Sequence, residues 1–155
     1  MKNDKFVTTL SLVAAAMLLT AVSGLRAASD PEDIIKYRQN VMKSNGGNLA
    51  AAGAIIQKKV DFNARLADHA KAVAAGTKDI AALFPPGSDF GADTKALDAV
   101  WKNRAEFEKL AKDTEKKAAA FAKAVAAKDA QAGARFKELA DSCKACHKDF
   151  RKEEN

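Results

Sequence analysis

The densest chemistry in this sequence is the string Cys143-Lys144-Ala145-Cys146-His147. On a helix, positions 143, 146 and 147 stand as i, i+3 and i+4 and share one side. They continue an apolar stripe made by Phe136, Leu139, Ala140 and Phe150, which predicts that all three point into the interior. Two thiols and an imidazole so spaced suit a c-type haem. Each thiol can add to a haem vinyl group to give a thioether, and the adjacent imidazole then reaches the iron as an axial ligand. Three other chemistries use such residues. A zinc site needs four ligands, and the neighbours Cys146 and His147 are poorly placed to share one ion with Cys143. A thiol–disulfide enzyme sets its Cys-x-x-Cys at a helix N-terminus, where the dipole lowers a thiol pKa. Here the pair lies near the C-terminus, with no βαβ pattern around it. Two structural cysteines beside a chance histidine are the remaining alternative.

Beyond residue 27 the sequence holds one methionine, Met42, and one further histidine, His69. Met42 shares a predicted helix face with Ile34, Ile35 and Leu49. It lies about three turns into its helix, and His147 lies about two turns from the chain end. In an antiparallel arrangement those levels can meet, so Met42 is the expected second axial ligand. A Met–His pair gives six-coordinate, low-spin iron and a raised reduction potential. The alternatives for Met42 are a flexible core side chain or one that covers the iron without bonding it. His69 falls in the polar stretch Asp68-His69-Ala70-Lys71 and is expected at the surface or half-buried.

Four helical stretches are expected to position these groups. The first begins at Asp30-Pro31-Glu32-Asp33, where Asp30 can cap and Pro31 suits the first helical position. Its stripe runs Ile34, Ile35, Val41, Met42, Leu49, Ala52 and Ile56, with Gly46-Gly47 expected to weaken or bend it. The second runs from after Asp61 to about Leu83, ended by Phe84-Pro85-Pro86-Gly87-Ser88-Asp89, with a loop on to about Asp93. The third, from about Thr94 to Ala127, repeats Leu97, Val100, Trp101, Phe107, Leu110, Thr114, Phe121 and Val125 at helical spacing. The fourth starts near Asp129. The joints at 57–61 and 127–129 are short and imply antiparallel neighbours. The expected fold class is therefore all-α, an up-down-up-down antiparallel four-helix bundle.

Composition agrees. Among 155 residues there are 35 alanines, and beyond residue 27 thirty alanines face thirteen β-branched residues, a ratio that disfavours sheet. Met1–Lys5 is short and cationic, Leu10–Val22 is an apolar run too short to span a membrane, and Ala27-Ala28 offers a cleavage region. Residues 1–27 therefore read as a secretory signal peptide preceding one domain, 28–155, exported to the periplasm. No stable membrane span is expected after cleavage. The net charge is +6, of which +2 falls in residues 1–27. Lysines alternate with acids along helical faces without interleaved aromatics, which argues against a nucleic-acid partner. Lys144, Lys148, Arg151 and Lys152 surround the Cys-x-x-Cys-His string and suggest docking of acidic redox partners.

At these residues the chain resembles the class II cytochromes c, the cytochrome c′ family. The resemblance rests on Cys-x-x-Cys-His near the C-terminus, Lys36-Tyr37-Arg38-Gln39 in the first helix, Val100-Trp101 in the third, and Phe150-Arg151 at the end. It covers nearly all of the chain after residue 27. It implies one covalent haem c held by Cys143 and Cys146, with His147 as proximal ligand. It also implies that Arg38 and Gln39 contact the haem edge and propionates, that Arg151 lies near the proximal imidazole, and that a homodimer can form through the first two helices. The family divides at the position of Met42. Five-coordinate members usually carry an apolar residue there and bind small gases such as nitric oxide or carbon monoxide; the low-spin branch carries a ligating Met, although some high-spin members also have a Met that does not bond. The resemblance to the low-spin branch makes the expected function electron transfer, not catalysis, with gas binding at an open distal site as the alternative.

Overall fold

The computed structural model describes residues 29–153, so the expected targeting segment 1–27 lies outside the described residues. The chain forms α1 (Pro31–Ile56), a 3-10 turn (Asn63–Arg65), α2 (Leu66–Gly76), a second 3-10 turn (Ile80–Leu83), α3 (Ala99–Lys102), α4 (Arg104–Ala126) and α5 (Ala132–Phe150). Among the described residues the only β-type contact is an isolated antiparallel bridge between Ala96 and Arg151. None of these helices is long and apolar enough to cross a membrane.

Cross-helix contacts fix the directions. Asn45 Nδ2 donates to the Gly76 carbonyl at 2.9 Å and Asn48 Oδ1 meets His69 Nδ1 at 2.9 Å, so α1 and α2 run antiparallel. Arg104 near the start of α4 reaches the Phe84 carbonyl after α2, while Glu115 further along accepts from the Asp79 amide; α2 and α4 therefore oppose each other as well. Phe107 meets Phe150 and Phe121 meets Phe136, which sets α5 antiparallel to α4. The four long helices form the expected up-down-up-down bundle.

Helix α1 starts as its sequence predicts, with the Asp30 carboxylate accepting from the Glu32 amide at 2.8 Å and Pro31 in first position. The expected weak point at Gly46-Gly47 does not interrupt it. Each glycine costs about 1 kcal/mol against Ala in a helix, but Asn45 and Asn48 on either side are bonded across to α2, and such tertiary contacts outweigh propensity. At Gly53 the absent side chain matters: a Cβ there would lie 2.8 Å from the tip of the Phe136 ring, so α1 approaches α5 through a glycine.

Two expected helices are shorter than their periodicity suggested. The second stops at Gly76 instead of Leu83, and Asp79 takes a left-handed conformation (φ 50°) before the second 3-10 turn. The third does not begin at Thr94; it is split into α3 and α4 by Asn103 (φ −111°, ψ 45°). Side chains supply the competing order. Trp101 Nε1 donates to the Pro85 carbonyl at 3.0 Å, and Arg104 donates to the carbonyls of Phe84 and Ala81 at 2.8 and 2.9 Å. Carbonyls at and just past the end expected for the second helix are thus satisfied from α3 and α4.

Both short joints close in the same way. Lys58 (φ 56°) and Lys128 (φ 52°) adopt the left-handed conformation just past α1 and α4. Their amides, and those of the next residues, bond back to Ile55 and Ala54 and to Val125 and Ala124 at 2.9–3.0 Å. This is the Schellman closure, with lysine where glycine is usual.

The core has two parts. One cluster contains Ala52, Ala70, Val73, Ala118, Phe121 and Leu139. The other contains Ile80, Phe84, Val100, Phe107, Ala111 and Phe150, and is knitted by edge-to-face contacts from Phe84 to Trp101 and Phe107, and from Phe107 to Phe150. Full burial of side chains such as Phe121 and Leu139 stabilises the fold by about 1.5–3 kcal/mol each.

Candidate cofactor site

The site is built on the last three turns of α5. Its apolar face carries Leu139 into the first cluster and Phe150 into the second. Cys143 packs against the first cluster and Cys146 against the second, so the two thiols bracket the boundary between them. Both are half-buried and free. Burial raises the Cys143 thiol above its ordinary pKa. Burial, helped by Cys143 and Asp149, pushes Cys146 up to about 11. Thiols so disfavoured as thiolates are unlike the acidic nucleophile of a thiol–disulfide enzyme. Among the described residues no group of three or more His, Cys, Asp or Glu side chains gathers in a way that could hold a metal ion, so the four ligands of a zinc site are lacking.

His147 departs from the expectation of an inward-pointing triad, because its side chain is exposed. One residue past Cys146 is a turn of about 100° around the helix, which carries the imidazole to the border of the apolar face. No hydrogen bond occupies its ring among the described residues. Partial desolvation, then the charge of Arg151, lowers its pKa, which favours the neutral imidazole with a lone pair able to ligate.

The structure brings Met42 to the same end of the bundle. It is half-buried and packs against the cluster of Phe84, Phe107 and Phe150 on which Cys146 and Trp101 also lie. His69 is elsewhere, facing Asn48 across the α1–α2 seam.

Arg38 and Gln39 are occupied in a way their sequence did not announce. Arg38 is 2% exposed. Its Nη1 donates to the carbonyl and hydroxyl of Ser88 at 2.7 and 2.9 Å, and its Nη2 to Thr94 Oγ1 at 2.9 Å. The guanidinium also lies 4.7 Å from the Phe84 ring centre and 5.6 Å from that of Trp101. Gln39 Nε2 donates to the Asp93 carbonyl at 2.8 Å. Both side chains tie α1 to the 84–94 loop. A guanidinium has five N–H donors, so Arg38 keeps its Nε–H and one Nη2–H for another acceptor. Ser88, Thr94, Phe84 and Arg104 were missed as site-shaping residues. The Pro85-Pro86-Gly87 turn signal marked where they lie but not what they bind.

One buried polar atom stands without a partner among the described residues, the hydroxyl of Thr114 on α4. A porphyrin bonded at Cys143 and Cys146 fits these features: a divided apolar core, two thiols on one helix face, a neutral imidazole beside them, and a polar atom still to be satisfied.

An all-helical bundle with this arrangement at the end of its last helix defines the class of c-type haem bundles. The family profile described as Cytochrome C' matches residues 33–151. The chain is 33% identical to the cytochrome c′ of Rhodospirillum rubrum, over 90% of this chain and 96% of that protein. It is 36% identical to the cytochrome c′ of Pararhodospirillum photometricum, over 79% of this chain and 99% of that one. Among solved structures, cytochrome c prime from Shewanella frigidimarina superposes with a TM-score of 0.76 at 33% identity, covering 81% of this chain and 99% of the other. The chain belongs to the cytochrome c′ family, and its cofactor is one covalently attached haem c. The relatives named here are all called cytochromes c′. The expectation of the low-spin Met/His branch finds no support in them.

Proposed function

We propose that the protein is an exported haem protein that binds a small diatomic gas, nitric oxide or carbon monoxide, at an open iron position. Cys143 and Cys146 hold the haem as thioethers, and His147 is the proximal ligand. Met42 lines the opposite side as an apolar cover and does not bond the iron. The observation that carries this reading is kinship with cytochromes c′ over nearly their whole length. When bound, the haem supplies an iron that takes a diatomic ligand and exchanges one electron. The chain does the rest. The thiol pair fixes the group to α5, the ring of Phe84, Trp101, Phe107 and Phe150 excludes water, and Arg38 and Gln39 hold the 84–94 loop against α1. Residues 1–27 act as the export signal to the periplasm. The exposed Lys144, Lys148 and Lys152, with Arg151, form a basic rim suited to acidic redox partners, whose approach should weaken with salt.

A second reading keeps Met42 as an axial ligand and makes the protein an electron carrier. It is favoured by the shared packing of Met42 and Cys146 against one cluster. Absorption spectra of the purified holoprotein separate the two. Gas binding requires a high-spin ferrous spectrum that converts promptly on adding carbon monoxide. A low-spin spectrum in both oxidation states, unmoved by carbon monoxide, would return the protein to the carrier reading.

A further inference from the structure

The α4–α5 seam is built as a ladder with a seven-residue step. Phe107 faces Phe150 with ring centres 5.2 Å apart, and Phe121 faces Phe136 at 5.6 Å. Seven residues on from Phe107, and seven back from Phe121, is Thr114; seven residues back from Phe150, and seven on from Phe136, is Cys143. Two helical turns separate each rung from the next, so all three rungs lie on the same faces. Aromatic pairs occupy the outer rungs. By the same register the middle rung sets Thr114 opposite Cys143, which packs against the first core cluster.

Thr114 is 4% exposed, and its hydroxyl has no partner among the described residues. The other buried hydroxyls are satisfied. Thr77 Oγ1 donates to the Val73 carbonyl at 2.8 Å, Ser142 Oγ to the Leu139 carbonyl at 2.8 Å, and Ser88 Oγ to the Pro85 carbonyl at 2.9 Å. A helical threonine ordinarily can bond back to its own preceding turn, as Thr77 does; Thr114 does not. An orphaned buried hydroxyl is costly, and valine would fill the same volume without that cost.

We propose that Thr114 is a haem-contacting residue that sets the polarity of the pocket at the porphyrin edge carrying Cys143. It rests on the haem attachment proposed above. Its hydroxyl is the buried side-chain polar atom left without a partner among the described residues, and the seven-residue register sets it on the α4 side opposite Cys143. Because a hydroxyl rotates, it can orient its dipole to favour the more positive, ferric state; an isosteric methyl cannot.

The test uses holoprotein of the wild type and of the variants Thr114→Val and Thr114→Ser, each first weighed for covalent haem. In the ferric wild type, the Thr114 methyl proton resonance is expected to be displaced outside the diamagnetic range by the nearby iron. Thr114→Val is expected to raise the midpoint potential, and Thr114→Ser to restore it to the wild-type value. A purely structural threonine would leave both readouts unmoved. An undisplaced methyl resonance, together with a Thr114→Val potential equal to wild type, would overturn the proposal while leaving haem attachment intact. Wild-type protein without the added mass of a haem would instead overturn the attachment reading, and this one with it.

Discussion

Arg38 Nη1 donates to both the carbonyl and the hydroxyl of Ser88, joining the second turn of α1 to a loop fifty residues away. Burial lowers the Arg38 pKa, and the nearby Asp89 opposes that shift. The guanidinium stays charged, because arginine cannot lose its proton in ordinary conditions. Replacing it with an apolar residue strands the Ser88 carbonyl. Arg38→Leu should cost about 2–4 kcal/mol in urea unfolding of the holoprotein. Amide exchange should accelerate in residues 84–94 and stay near wild type in α4. Unchanged exchange in that loop would show that something other than Arg38 holds it.

Met42 as a cover makes a steric prediction. Met42→Ala should leave the high-spin spectrum in place and bind carbon monoxide about tenfold more tightly, a gain of about 1.4 kcal/mol. Carbon monoxide titration of the ferrous protein measures it. Conversion of a low-spin wild type to a high-spin variant would identify Met42 as a ligand.

Lys58 and Lys128 hold left-handed backbone that disfavours a side chain. Glycine at either position relieves that strain but has more freedom to lose on folding. The net expectation is a gain of about 0.5–1 kcal/mol for each of Lys58→Gly and Lys128→Gly, read as a higher urea midpoint with unchanged slope. The sites are at separate joints, so the double variant should be near-additive.

Several carboxylates sit below their ordinary pKa because a lysine bonds to each: Asp98 beside Lys102, Glu115 beside Lys112, and Asp141 beside Lys137. A depressed carboxylate contributes stability above its unfolded pKa and loses it as pH falls through the folded value. Acidification below the ordinary carboxylate range should therefore erode stability. The triple variant Asp98→Asn, Glu115→Gln, Asp141→Asn should flatten that pH dependence slightly, because exposed pairs are well screened. A thermal melt series from neutral to acidic pH checks both slopes.

Much of this was legible in the residues. The bundle followed from period-3.6 stripes and short joints, and Cys143 and Cys146 fell on the α5 face that the stripe indicated. What periodicity could not register was competition from side chains distant in sequence. Trp101 and Arg104 donate to carbonyls of residues 81–85 and so pin the segment after α2 against α3 and the start of α4. Asn45 and Asn48 carry α1 through a glycine pair that propensity alone would weaken. Thr114 read as a member of an apolar stripe because its spacing is right. Only the absence of a partner for its hydroxyl among the described residues singles it out.

A helix end ordinarily frays, yet α5 is followed directly by a backbone tether. Leu97 donates to the Phe150 carbonyl at 3.0 Å, and Lys152 donates to the Lys95 carbonyl at 2.8 Å. The last turn of α5, with His147 on it, is thus moored to the segment before α3. Deleting residues 151–155 would leave the sequence string for thioether formation and the Leu97–Phe150 bond untouched but remove the Lys152–Lys95 tether and the Arg151 amide bond to the His147 carbonyl, loosening the last turn. On the proposed reading that His147 is the proximal ligand, the few residues beyond it set how its imidazole is aimed.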